Sequence, residues 1–224
     1  MTEAEVRGLR ESVCEICKKM WRLGWVAATD GNVSLRLSNE VFLGTPAGVS
    51  LNDVTPGNLV LFDRRGKSLR KPSSEIKMHL RCYNERDDVK AVVHAHPPCA
   101  TAFAIAGRAL DDYSMIETVL TLGSVPVAPY ATPSTDEVGD SIAPFLQMHD
   151  ALLLQNHGAI TLGCDLITAF HRMETLEHWA KTIINAEILG GAKSISRDNI
   201  VKLCELRGQR YGITGRHPGY CKAN

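Results

Sequence analysis

His94-Ala95-His96 sets two imidazoles two residues apart in the run Lys90-Ala-Val-Val-His-Ala-His-Pro-Pro. Val92 and Val93 favour a strand at this point. Alternate side chains on a strand share a face, so the two rings are aimed at one spot. An otherwise apolar strand has little structural use for that arrangement. A transition metal has one, because neutral imidazole is a common ligand of zinc and its neighbours. A third histidine, His157, stands in Gln155-Asn-His-Gly158, just past the apolar run Ala151-Leu-Leu-Leu. A sheet end would present it beside the first pair, and Gly158 lets the backbone turn sharply or approach closely. Taken alone, His157 reads more readily as a turn histidine with a polar partner. With His94 and His96 it makes a three-imidazole set of the kind that leaves a catalytic zinc with an open position. His79, His149, His171, His178 and His217 fit such a set less well.

Lys71-Pro-Ser-Ser-Glu75 is a second cluster. Pro72 pre-sets the chain for a helix and Ser73 is a good cap. Free N–H groups and the hydroxyls of Ser73 and Ser74 would make an anion site there. In the first helical turn Glu75 would be favoured by the helix dipole alone. A phosphorylated substrate held there would set its carbon skeleton against that carboxylate. Thr29-Asp-Gly31-Asn32 and Thr45-Pro-Ala47-Gly48 are glycine-containing turns that could offer further N–H groups to an anion, or be plain turns.

The elements that must position these residues follow from periodicity. Val6, Leu9, Val13, Ile16, Cys17, Met20 and Leu23 recur at helical spacing, which predicts a helix over 3–24 ending near Gly24. Val33 to Leu37 and Val41 to Gly44 read as a strand hairpin, and Leu59 to Phe62 as a buried strand closed by Asp63-Arg-Arg-Gly. A helix is expected over 73–84, the histidine strand over 90–96, and a short helix from Pro97-Pro98 to Ala106. Ser124 to Tyr130 reads as extended. Ser134-x-x-Glu137 has the capping-box pattern for a helix to Met148. Ala151 to Gln155 and Ala159 to Leu162 read as strands. Leu166 to Leu189 reads as a long helix capped by Asp165, with a last helix over 197–211 and an extended tail over 212–224. Hairpins together with helix-separated strands predict an α/β fold with a mixed sheet covered by helices on both faces.

Composition narrows the class. The chain has 224 residues, is 44% hydrophobic, and shows no composition break, so one domain over 1–224 is expected. Lys+Arg and Asp+Glu both number 25, which leaves no overall basic footprint for nucleic acid. No apolar run approaches the roughly 20 residues of a membrane span, and the N-terminus is no signal peptide. Seven scattered cysteines then read as reduced thiols of a cytoplasmic protein, with Cys14-x-x-Cys17 as helix packing.

Taken in order, Arg22-Leu-Gly, Gly31-Asn-Val-Ser, Thr45-Pro-Ala-Gly, Pro72-Ser-Ser-Glu, Ala91-Val-Val-His-Ala-His, Ala128-Pro-Tyr-Ala-Thr and Gln155-Asn-His-Gly resemble the class II sugar-phosphate aldolase family, typified by L-fuculose-1-phosphate aldolases. The resemblance implies a three-layer αβα sandwich around a mixed, largely antiparallel sheet. It implies zinc held by His94, His96 and His157, with manganese or cobalt as substitutes. Glu75 would be the fourth ligand at rest and the acid/base once substrate displaces it. Gly31, Asn32, Ser73 and Ser74 would hold a phosphate, with Ala47 and Gly48 beside it. It also implies a homotetramer with active sites at subunit interfaces. Two positions depart from the pattern. The family often carries a hydroxyl residue where Ala47 stands. Its tyrosine proton donor falls, without gaps, on Met115, with Tyr113 two residues away; Asp111, Asp112 and Glu117 are the other polar groups of that segment. The expected activity is reversible aldol cleavage of a phosphorylated ketose into dihydroxyacetone phosphate and a small aldehyde. The same superfamily holds L-ribulose-5-phosphate 4-epimerases, sugar-phosphate dehydratases, decarboxylases and a non-enzymatic adducin module, the last disfavoured by the three histidines.

Overall fold

The structure, a computed structural model, describes residues 2–211 together with Ile213 and His217. In chain order the elements are α1 (Glu3–Arg22), β1 (Asn32–Arg36), β2 (Phe42–Gly44), β3 (Val60–Phe62), α2 (Ile76–Glu85), β4 (Ala91–Ala95), α3 (Pro98–Ile105), α4 (Ile116–Thr121), β5 (Val127–Ala128), α5 (Asp136–Leu146), β6 (Ala151–Leu154), β7 (Gly158–Gly163), α6 (Leu166–Ile188) and α7 (Arg197–Gln209). The strands form one sheet in the order β3-β2-β1-β4-β7-β6-β5. Among the described residues only β5 and β6 pair in parallel, and every other neighbour is antiparallel. The sheet is thus mixed and largely antiparallel, as expected.

Its pleat sorts side chains into two cores. Val33 and Leu35 of β1, Val93 and Ala95 of β4 and Ala159 of β7 pack against α1, α3 and α6. Val92, Leu152, Ile160 and Leu162 point the other way, onto α2 and α5. Helices therefore cover both faces, giving the three-layer αβα sandwich. Long helices bring large side chains to each interface: Trp179 and Met20 to the first and Tyr83 and Met78 to the second, each less than 2% exposed. His94 follows Val92 by two residues and so faces the α2 layer. This is why a histidine on a buried strand meets the start of α2.

Several boundaries differ from the sequence expectation. The helix expected from Ser73 begins at Ile76, with Glu75 at the N-cap position, φ −96° and ψ 11°, and no side-chain cap. Ser73 instead accepts the Glu75 N–H at 3.4 Å, so the serines form the approach to the helix. In α5 the cap is Thr135, not Ser134, and the Glu137 carboxylate accepts the Thr132 N–H at 2.9 Å. Helix α4 was not expected; six residues are too few for a periodic signal. Cys14, Cys17, Cys82, Cys99 and Cys164 are free thiols. Burial pushes Cys14 and Cys17 up, in keeping with helix packing and not with a redox pair. Cys204 is disulfide-bonded, against the expectation of reduced thiols throughout. Apart from Ile213 and His217, the tail expected to be extended lies outside the described residues. Among the described residues no helix is long and apolar enough to cross a membrane.

Candidate metal centre

Three separate elements deliver four polar groups to one place. Strand β4 brings His94, which is fully buried, and His96 follows immediately after the strand end. The β6–β7 turn brings His157. Its N–H donates to Leu154 O at 3.0 Å, and Asn156 before it lies in the left-handed region with φ 58°. The approach to α2 brings Glu75. Gly158 makes the turn fit: a Cβ there would lie 2.5 Å from Ala95 O and 2.5 Å from His96 Cδ2. Register completes the placement, since Asn32 and Ile160 flank His94 on the neighbouring strands.

The distances are those of a shared ligand. His94 Nε2 is 3.2 Å from His96 Nε2 and 3.0 Å from Glu75 Oε2. His157 Nε2 is 3.3 Å from Glu75 Oε1. One ligand nitrogen from each histidine lies within 4.8 Å of the others. His94 Nδ1 is 2.9 Å from Ala159 O. A carbonyl oxygen only accepts, so Nδ1 carries a proton and a neutral His94 turns the Nε2 lone pair inward. That lone pair meets another imidazole nitrogen and a carboxylate oxygen, an arrangement that requires a proton or a cation between them. Glu75 Oε1 is buried and makes no hydrogen bond, its contact with His157 having the distance but not the geometry of one. Three neutral imidazoles and one carboxylate, with an unmatched buried oxygen, fit a divalent ion of the zinc class.

The electrostatics agree. Burial works to raise Glu75, but positive charge on His94 and His157 outweighs it and holds the carboxyl well below the usual carboxylate range. Burial opposes protonation of His94, and the facing Glu75 carboxylate overcomes it, so that ring is raised. His96 is pushed down to about 4, first by burial and then by charge on its two neighbours. His157 is lowered for the same reasons. Glu75 is thus held as a carboxylate and His96 and His157 are biased toward neutral rings, the forms in which they can ligate a metal, and an ion binding there would displace the proton that His94 shares with Glu75.

The glycine turns gather at the same sheet end. Gly31 has φ 74°, and a Cβ on it would lie 2.5 Å from Val26 Cγ1 and 3.1 Å from His94 O. Asn32 is buried, and its amide donates to Glu75 Oε2 at 3.0 Å, so it orients the carboxylate. Thr45–Gly48 and Lys71–Ser74 run side by side. Ala47 N–H donates to Lys71 O at 3.1 Å and Ser73 N–H to Thr45 O at 3.0 Å. Open space adjoins Gly48, which has φ 69°, and Ser74 is exposed. Ala47, Gly48, Ser73 and Ser74 therefore lie on two paired segments, one of which leads into Glu75.

The segment after β4 is placed differently. Met115 packs into the α1/α3/α6 core. Asp112 accepts the Trp179 indole N–H at 3.2 Å and the Ser114 hydroxyl at 2.8 Å. Tyr113 has φ 49°, and its carbonyl accepts the Ile195 N–H at 3.0 Å. Asp111 and Glu117 are exposed. Two residues near the cluster escaped the sequence reading. Asp30 Oδ2 is 3.5 Å from His96 Nδ1. His79 is buried on α2, with Nδ1 2.7 Å from Ser34 Oγ. The signals were there: Asp30 adjoins Gly31, and His79 stands one helical turn after Glu75.

Known proteins place this architecture. The family model of the Class II Aldolase and Adducin N-terminal domain matches residues 11–184. L-fuculose phosphate aldolase of Escherichia coli strain K12 is 35% identical over 207 residues, covering 92% of this chain and 96% of that protein. The 3-oxo-tetronate 4-phosphate decarboxylase of the same strain is 34% identical over 184 residues, covering 79% and 86%. A solved L-fuculose 1-phosphate aldolase superposes with a TM-score of 0.82 at 28% identity, over 92% of this chain and 96% of that one. Sheet order, layers and matched length agree, and the chain belongs to the class II aldolase and adducin N-terminal domain family.

Proposed function

We propose that the protein is a metal-dependent lyase that reversibly cleaves the carbon–carbon bond between the α and β carbons of a sugar-phosphate ketone. Its substrate is a ketose phosphate resembling L-fuculose 1-phosphate, and its products are dihydroxyacetone phosphate and a small aldehyde. The observation that carries this reading is the convergence of His94, His96 and His157 on Glu75, with Glu75 3.0 Å from His94. A divalent ion held there would supply Lewis-acid polarisation of the substrate carbonyl and of the charge that develops on it.

The chain's own groups do the rest. The three histidines would hold the ion, and Gly31, Asn32, Ala47, Gly48, Ser73 and Ser74 would take the phosphate. Asn32 already spends its amide on Glu75, so its part is chiefly to aim that carboxylate. In the cleavage direction the bond pair moves onto the carbonyl side, the hydroxyl proton of the departing half passes to the Glu75 carboxylate as that half becomes an aldehyde, and Glu75 returns the proton to the carbon left electron-rich. In synthesis Glu75 removes that proton. Zinc is the proposed ion, with manganese or cobalt as substitutes. The working form is a cytoplasmic homotetramer of single-domain chains with sites at subunit interfaces.

A second reading draws support from Met115. Its thioether packs partly buried against the core, so the position expected to hold a proton donor for the aldehyde has no acid to give. Decarboxylation of a 3-oxo acid 4-phosphate needs none at that point. Carbon dioxide leaves with no hydroxyl proton to remove, Glu75 again protonates the carbon, and dihydroxyacetone phosphate again results. Product analysis separates the readings. Metal-loaded protein is incubated with ketose 1-phosphates, ketose 5-phosphates and 3-oxo acid 4-phosphates, and dihydroxyacetone phosphate, aldehyde, carbon dioxide and epimers are measured. Dihydroxyacetone phosphate with aldehyde is expected. Carbon dioxide in place of aldehyde selects the second reading, epimer or dehydration product selects a related chemistry, and no turnover of any substrate refutes the lyase.

A further inference from the structure

Each ion-facing imidazole needs its outer nitrogen controlled, because the outer hydrogen bond decides which nitrogen carries the proton. For His94 the outer partner is the Ala159 carbonyl at 2.9 Å. For His96 the inward atom is Nε2, 3.2 Å from His94 Nε2. Its outward atom, Nδ1, lies 3.5 Å from Asp30 Oδ2, longer than a hydrogen bond and within ion-pair reach. The loop that carries Asp30 is fastened to the same histidine. His96 N–H donates to Trp25 O at 2.8 Å, and Asp30 N–H closes a turn onto Ala27 O at 2.8 Å. At the loop's end, Gly31 packs so closely that a Cβ on it would lie 2.5 Å from Val26 Cγ1 and 3.1 Å from the His94 carbonyl. Asp30 is therefore held beside His96 by backbone on both sides.

We propose that Asp30 is a positioning residue of the metal centre: its carboxylate stands at the outer nitrogen of His96 and favours the ring orientation that turns Nε2 toward the ion, and with Glu75 it supplies the second negative charge that balances a divalent cation. This inference rests on the metal reading above. Nothing in the proposed chemistry requires Asp30 to touch substrate. Its side chain is about half exposed, 47%, so replacing it removes an electrostatic partner and leaves the core intact.

The test is ion binding, not turnover. Chelator-stripped wild type and the variants Asp30→Asn, Asp30→Glu and Asp30→Ala are titrated with zinc and cobalt(II) against a chromophoric chelator. Histidine 15N shifts of the metal-free proteins report the His96 tautomer, and their melting temperatures report the fold. D30A is expected to bind zinc about 10–100-fold more weakly. D30N, which keeps an acceptor but not the charge, should lose less, and D30E should recover most of the affinity. Metal-free melting temperatures should be the same throughout, and the His96 proton should shift toward Nε2 in D30A. Zinc affinity in D30A within twofold of wild type would overturn the role of Asp30 alone. Absence of zinc binding by the wild type would overturn the metal reading and this inference with it.

Discussion

At the scale of single residues the site is a set of lone pairs with nowhere to point except at one another. His94 gives its outer proton to Ala159 O, so its inner nitrogen can meet Glu75 only through a proton or a cation. Gly158 holds this geometry from the other side, and its replacement is diagnostic. Gly158→Ala would push a Cβ to 2.5 Å from Ala95 O and His96 Cδ2. It should cost about 2–4 kcal/mol by denaturant unfolding and weaken zinc binding together; an unchanged affinity would mean His96 is not held as described. His79 gives a pH signature. Burial, reinforced by charge on His94, pushes it down to about 3. Its folded form resists protonation, so this contribution is present above pH 6.5 and lost as pH falls toward 3. Between pH 7.5 and 5.5 it removes about 1.4 kcal/mol of stability. In His79→Asn, which keeps a group near Ser34, denaturant unfolding should show that part of the decline missing. The three histidines were legible in the sequence because spacing and residue type carried them. Asp30 and His79 were not, because their roles arise only when the 25–31 loop and α2 fold against β1 and β4.

At the scale of elements, β1 and α2 are joined by a buried polar ladder. Asn32, Ser34 and Arg36 alternate on β1; Glu75, His79 and Tyr83 recur every fourth residue on α2. Asn32 bonds Glu75 at 3.0 Å, Ser34 bonds His79 at 2.7 Å and Tyr83 at 2.8 Å, and Arg36 reaches the Tyr83 carbonyl. The ladder explains how a helix start can hold a carboxylate at a fixed height over the sheet. On the opposite layer, α6 reaches the segment after His96. Glu177 accepts the Cys99 N–H at 3.0 Å and the Ala100 N–H at 2.8 Å, capping α3 from outside. Glu177→Ala leaves both donors without a partner, and urea unfolding should show a loss of about 2 kcal/mol. Glu177→Gln should restore part of it; equal stability of all three proteins would show that this cap is idle. Periodicity made the long helices and the hairpins readable. The start of α2 was misjudged because Pro-Ser-Ser looks like a cap, whereas Ser73 is tied to Thr45 by its backbone and the helix waits until Ile76. Ser134 misled for a similar reason: its neighbour Thr135 does the capping.

At the scale of the whole molecule, the antiparallel centre of the sheet sets β4 between β1 and β7, so groups distant in sequence meet at one end. Glu75 stands 19 positions before His94 and His157 61 positions after His96, which is why local spacing showed the histidines while the resemblance of ordered motifs was what set Glu75 beside them. A site built from β4, the β6–β7 turn and the α2 approach links the layers, so filling it should stabilise the fold. At an ion concentration of about 100 times Kd the gain is about 2.7 kcal/mol, or roughly 5–11 °C in melting temperature for a chain of this size. Calorimetry with zinc should show this rise in the wild type and none in His96→Ala; a rise of equal size in both would place the ion elsewhere. The central claim is metal-dependent cleavage with Glu75 as the proton carrier. Its most direct test is release of dihydroxyacetone phosphate from the substrate panel by protein stripped with chelator and then reloaded with zinc. The account predicts no release from stripped protein, release on reloading, and no release from reloaded Glu75→Gln although it still binds phosphate. Release that survives stripping, or that persists undiminished in Glu75→Gln, would contradict it.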